Sequence, residues 1–400
     1  MRRWIILLLL GLGLAGSILP SLAAPIWEVT PYPVEYTFGG QVTLRANISS
    51  DAPISGVQVF LRSRGDTETY TGSAFFNNNE IIYQHDLTTE PLRAFSHIEY
   101  WFQITPKSGD PYLSDTYSFL YEDNRFDWRT LYSGSLFVHW YEGDTAFGQS
   151  VLNAAEAGLD RARTLVVLPT LQPVNIYVYA SGVEMQSTLR LGALRWIAGH
   201  ADPDLGVAVV SLPTGPYQRS EIERQIPHEV MHLLLYQVVG SPYYQLPVWL
   251  KEGLASANEM RPNPDYYVIL SQAVEQNILI PMTSLCQTFP QDNNVYLAYA
   301  QSDSFVRYLY QQFGQTGIQG LVNSYASGEG CETAPQAVMG VSLSELEQEW
   351  RRAALNDNVL GAALEALLPW GTLLLVVFFV PLLLVLTSLR KSPRPRPSQA

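Results

Sequence analysis

Apolar and polar residues alternate at strand length through the first third of the chain. Val42-Thr43-Leu44-Arg45-Ala46, Val57-Gln58-Val59-Phe60-Leu61 and the longer run from Ile98 to Ile104 carry the pattern. A period of two buries one side of each segment and wets the other. Turn-forming clusters at 49–53, 63–66 and 107–111 separate these runs. Short strands at such spacing within ~100 residues predict an all-β, immunoglobulin- or fibronectin-like sandwich over 24–125. From residue 126 the pattern changes. Leu136 to Tyr141 and Val174 to Tyr179 read as strands, with a helix from Ala146 to Leu165 between them. Gly206 to Leu212 reads as a further strand, and from Arg219 onward the spacing is helical. Strands first and helices afterward predict an α+β domain over 126–358.

Both ends of the chain are apolar. Arg2 and Arg3 precede an uncharged run from Trp4 to Ile18, and Ser21-Leu22-Ala23 fits a small-x-small cleavage site, so 1–23 reads as a secretory signal peptide. An uncleaved N-terminal anchor is the alternative. No charge occurs between Glu365 and Arg390. A membrane-crossing helix needs ~20 such residues, so 366–389 is expected to span a bilayer. Arg390, Lys391, Arg394 and Arg396 then place the 390–400 tail in the cytoplasm. The expected localisation is therefore a single-pass cell-membrane protein with its bulk outside the cytoplasm.

Composition removes one class of function. The sequence holds 24 basic and 37 acidic residues. Six of the basic ones are the terminal residues just named, so the middle is strongly acidic. Phosphate backbones need a basic surface, which excludes nucleic acid as a partner. Two cysteines occur, Cys286 and Cys331. In an oxidising compartment they pair across a loop of 45 residues; otherwise they are two free buried thiols. The sequon Asn47-Ile48-Ser49 has meaning only in a glycosylating host.

The chemistry concentrates in His228-Glu229-Val230-Met231-His232. Residues four apart share a helix face, so both imidazoles can reach one Zn²⁺, while Glu229 can meet a water on that ion. Pro227 just before the motif predicts a first helical turn or a kink there. Twenty residues after His232, Trp249-Leu250-Lys251-Glu252-Gly253-Leu254-Ala255 supplies Glu252. Two His and one Glu form a known catalytic zinc set that leaves one position for water. Ser256, one turn past Glu252, either supports a ligand or is simply packed or solvated.

These two motifs together resemble the gluzincin metallopeptidases. Trp-Leu-x-Glu-Gly-x-Ala is similar to the ligand segment of their aminopeptidase branch, and the layout is similar to peptidase MA-like proteins of bacterial envelopes, over about 170–355. The resemblance implies that His228, His232 and Glu252 bind zinc and that Glu229 acts as general base, passing the proton on to the leaving amine. It also implies an oxyanion donor from a Tyr that opens a later helix. Tyr299 lies in the corresponding place, without the Glu, Lys and Gly that follow it in that branch; Tyr296 is the second candidate, and a plain core aromatic fits the same pattern. In this family an extended substrate pairs with the edge strand above the metal, which assigns that role to 206–212. His200, Asp202 and Asp204 just before it read as a polar loop rather than a second metal site. The Gly-x-Met-Glu-Asn segment that holds a free substrate amine is absent from the sequence, which favours an endopeptidase acting on peptides or proteins. A catalytically inactive, peptidase-like surface interaction module is the competing reading, opposed by the intact Glu229. A structural envelope protein with a coincidental motif is the third.

Overall fold

A computed structural model describes residues 27–189, 199–355, 367–371, 373–375 and 377–380. The proposed signal peptide and the basic tail lie outside these residues. The chain divides into two compact units, one ending at Arg125 and the other starting at Phe126.

The first unit is all-β, and each of its two sheets has five strands. One sheet runs in the order 27–31, 41–50, 80–86 and 75–77, with 35–37 also paired to 41–50. The other runs 117–121, 96–106, 54–63 and 70–73, with 112–113 also paired to 96–106. Val42, Leu44, Ala46 and Ile48 from the first sheet share a core with Val57, Val59, Leu61, Ile98, Phe102 and Ile104 from the second. Alternation along each strand thus builds a two-layer sandwich. His85 is buried among Tyr70, Tyr83 and the Glu90 backbone, as an ordinary packed histidine.

The second unit centres on a mixed sheet in the order 129–133, 136–140, 174–179, 207–211 and 199–202. The middle three strands are parallel and both outer pairings are antiparallel. Helix α1 (Thr145–Leu165) makes the first parallel crossover. Two expectations change here. The segment 206–212 is interior, and Val207–Ser211 is buried throughout because it is paired on both sides. The stretch read as a polar loop holds the edge strand, Gly199–Asp202.

After α2 (Gly182–Thr188) come α3 (Gln218–Val239), α4 (Val248–Asn258), α5 (Asp265–Glu275), α6 (Asn294–Ala326), α7 (Thr333–Met339) and α8 (Leu343–Ala354). Trp249 and Leu254 of α4, Phe305 and Leu309 of α6 and Trp350 of α8 belong to one core with the inner face of the sheet. Cys286 and Cys331 are bonded, with Cα atoms 6.3 Å apart.

The expected membrane-spanning helix over 366–389 is not supported. Among the described residues no helix is long and apolar enough to cross a membrane. Within that stretch the described residues are 367–371, 373–375 and 377–380, all helical. The expected single-pass placement at the cell membrane, with an external bulk and a cytoplasmic tail, falls with it.

Candidate metal centre

Pro227 is neither in a first turn nor at a helix break: α3 runs on through it, with Pro227 inside the helix. A proline has no N–H, so the carbonyl four residues earlier loses its helical partner. That carbonyl, of Glu223, accepts instead from the Met260 N–H at 3.0 Å. Asn258 Nδ2 donates to the Pro227 carbonyl at 2.8 Å. The end of α4 is thereby tied to α3 one residue before the His-Glu-x-x-His motif. Gly158 of α1 allows the proline to sit close, since a Cβ there would lie 2.9 Å from Pro227 Cα.

Two arginines complete the anchoring. Helix C-termini leave carbonyls without partners, and cations are favoured there. Arg161 donates to the carbonyls of Ala257 and Asn258 at 2.8 and 3.0 Å, and Arg307 to that of Ser256 at 3.1 Å. Ser256 takes part through this carbonyl, and its hydroxyl reaches none of the proposed ligands. Asp303 aligns Arg307 from one turn earlier, at 2.8 Å.

This framework brings α3 and α4 together with His228, His232 and Glu252 converging. Their potential ligand atoms lie within 4.8 Å of one another. His228 Nε2 and His232 Nε2 are each 3.5 Å from Glu252 Oε2. Two donors each ~2.1 Å from a tetrahedral zinc ion stand about 3.4 Å apart, so these separations match the edge of such a site. The other ring nitrogens are already engaged. His228 Nδ1 meets Glu259 Oε1 at 3.0 Å, and His232 Nδ1 meets the Tyr243 hydroxyl at 3.0 Å. Partners of this kind orient the rings and turn both Nε2 atoms toward a common centre.

Charge balance also calls for a cation. Glu229, Glu252 and Glu259 share a largely buried space with two imidazoles and, at its edge, the Arg224 guanidinium. Burial works against a charged His228, yet hydrogen bonds to Glu252 and Glu259 and the charge of Glu229 outweigh it and push its pKa up to about 10 in the metal-free site. Burial likewise opposes the Glu252 charge, but the charge of His232 and the hydrogen bonds of both histidines hold its carboxyl well below the usual range. A divalent ion held by the Nε2 and carboxylate atoms would supply positive charge to these carboxylates. Glu229 differs from its neighbours. Burial pushes its carboxyl upward, against the pull of His228 and His232.

The centre opens into a cleft of about 540 Å³ that also takes in Glu229, Tyr243, Tyr296 and Tyr299. Tyr299 is in the second turn of α6 rather than opening it, and its ring packs edge-on against Phe289. Burial, with the charges of Glu252 and Glu229, pushes its hydroxyl well above the ordinary value. Tyr296 lines the same cleft but is half exposed. His200 and Ala201 of the edge strand form another part of the wall. Asp204, in the turn after that strand, accepts from the Tyr244 hydroxyl at 2.9 Å. Among the described residues, His228, His232 and Glu252 form the one group of three that could hold a metal, so His200, Asp202 and Asp204 form no second centre.

Sequence reading missed Glu259 and Tyr243. Glu259 stands seven residues after Glu252 but just past the last residue of α4, where helical spacing no longer sets a face. Tyr243 is in a short 3₁₀ turn, and nothing in its spacing marks it.

Comparison with known proteins supplies the family. No curated protein sequence matches the chain. Among solved structures, similarity extends to an aminopeptidase N family protein from Idiomarina loihiensis, at 8% identity over 80% of this chain and 72% of that one, with a TM-score of 0.34. A myokine structure matches over 23% of this chain and 96% of its own, at 9% identity and a TM-score of 0.19. The family model of the Peptidase MA superfamily matches residues 154–356, which include His228, Glu229, His232 and Glu252. With just over half of its length matched in this way, the chain belongs to the Peptidase MA superfamily.

Proposed function

We propose that the chain is a zinc-dependent metallopeptidase that cuts internal peptide bonds. The observation that carries this reading is the pair of Nε2 atoms, each 3.5 Å from Glu252 Oε2, with both Nδ1 atoms held from behind and Glu229 beside them in an open cleft. His228, His232 and Glu252 hold the zinc. When bound, it supplies Lewis-acid activation of water and of the scissile carbonyl at neutral pH. Glu229 accepts the proton of the attacking water on its carboxylate and delivers it to the leaving amine. Its upward-shifted carboxyl suits both halves of that task. Tyr299 donates its O–H to the oxyanion that develops on the scissile carbonyl. The substrate runs extended along Gly199–Asp202, the outermost strand of the sheet among the described residues, a strand-addition mode that replaces the role first given to 206–212. The absence of the amine-holding segment supports internal cutting over removal of single N-terminal residues.

The test is cleavage of a peptide library by the full chain and by its Glu229→Gln variant, read by mass spectrometry. Internal cuts by the wild type that vanish in the variant, with one zinc retained by both, are the expected result. Cuts that persist in the variant would sink the assignment of Glu229. One bound zinc with no cleavage at all would favour the inactive interaction module.

A further inference from the structure

A second pocket of about 730 Å³ adjoins the cleft, between α5 and the start of α6. The two share three wall residues, Arg224, Asn263 and Tyr296. Its wall carries an apolar patch of Val268, Ile269, Ala273, Ile278 and Leu297, set among polar residues that include Asp265, Gln272 and Asn294. Val268 and Ile278 are 52% and 51% exposed, although they belong to one concave surface. Scattered apolar side chains on a surface need no explanation, but an apolar patch gathered in a hollow that opens onto a candidate active site does.

We propose that this second pocket is a specificity subsite that takes a large apolar side chain of the peptide substrate. The inference rests on the peptidase reading above. Arg224 marks the neck between the cavities and stands four residues, one helical turn, before His228. The helix rises about 6 Å over that turn, and an extended peptide covers the same distance in about two residues. The side chain that enters the pocket is therefore about two residues from the scissile bond, on one side of it. At the neck, the Arg224 guanidinium is steadied by Glu221 at 2.5 Å and, with the Asn263 amide, offers polar contact to the passing peptide backbone. Beyond it the apolar patch rewards leucine or phenylalanine over glycine by about tenfold to a hundredfold, the range expected for full burial of such a side chain.

The experiment compares the full chain with Val268→Asp and, separately, Ile278→Asp. Both positions are at the surface, and thermal melting checks that each variant folds. Peptides carrying Leu, Phe or Gly at each position near the cut are supplied in competition. The expected wild-type result is a preference for Leu or Phe at the second residue from the cut on one side, with the Leu-to-Gly ratio falling at least about tenfold in both variants. An unchanged ratio in two folded variants overturns the subsite. The same peptides are also titrated against Glu229→Gln protein by fluorescence anisotropy, alone and combined with each pocket substitution. If nothing is cleaved yet Leu peptides bind and the pocket substitutions weaken them about tenfold, the pocket stands and the hydrolytic reading fails. Binding that ignores the side chain overturns the pocket as well.

Discussion

Replacing Glu259 by alanine removes the carboxylate that His228 Nδ1 meets at 3.0 Å, while leaving all three proposed zinc ligands in place. The Glu259 side chain is only 5% exposed, so water does not readily replace it. A hydrogen bond to a charged group of this kind is worth about 1.5–3 kcal/mol, and its loss strands a buried N–H. Removing such a partner behind a metal-bound histidine lowers affinity about tenfold to a hundredfold, or about 1.4–2.7 kcal/mol, and the charge lost here puts Glu259→Ala toward the upper end. Glu259→Gln keeps an acceptor and loses only the charge, so its effect falls at about tenfold or below. Tyr243→Phe removes a neutral bond to His232, worth about 0.5–1.5 kcal/mol or roughly threefold to tenfold. The assay is zinc competition against a chromogenic chelator, with melting curves of the metal-free proteins to separate affinity from folding. The order of loss expected is Glu259→Ala, then Glu259→Gln, then Tyr243→Phe. A Glu259→Ala protein within about twofold of wild type, or one less affected than Tyr243→Phe, would refute the claim that Glu259 orients His228.

Tyr299→Phe should lower the cleavage rate by about a hundredfold to a thousandfold with little change in zinc content, whereas the half-exposed Tyr296 should tolerate the same change. A larger loss for Tyr296→Phe would reverse that assignment. Gly253→Ala tests the seam between α4 and α6, because a Cβ there would stand 2.5 Å from both the Ser302 carbonyl oxygen and Val306 Cγ2. Alanine favours the helix by about 1 kcal/mol, but overpacking against backbone costs about 1–3 kcal/mol, so a net loss is expected. It would appear as a melting temperature lower by several degrees, and an unchanged or higher value would contradict the close packing.

Much of the molecule was legible in the chain because its rules are local. Val42 to Ala46 and Val57 to Leu61 show their strand by alternation, and the two layers they build need no information beyond the period and the turn clusters between them. His228 and His232 face one point because a helix brings every fourth residue round to the same side. Glu252 was legible through its own short motif, and the structure does bring it to the two histidines.

Other features required the folded chain. Val207–Ser211 and Gly199–Asp202 are both short strands, and only the pairing order makes the first interior and the second an edge. The uncharged stretch before Arg390 met a composition rule for a membrane helix, but among the described residues no helix is long and apolar enough to cross. Pro227 looked like a helix start because local rules count its missing N–H as a fault. In the fold, the carbonyl it frees binds Met260, and the Asn258 link beside it brings Glu259 to His228 from 31 residues away. Periodicity and motif spacing are properties of a few consecutive residues, so the sequence alone determined the longer strands, the sandwich pattern and the candidate group of His228, His232 and Glu252. Which buried polar atom meets which depends on contacts between distant segments, so the tertiary structure alone decided the partners of the two Nδ1 atoms, the edge strand and the walls of the cleft.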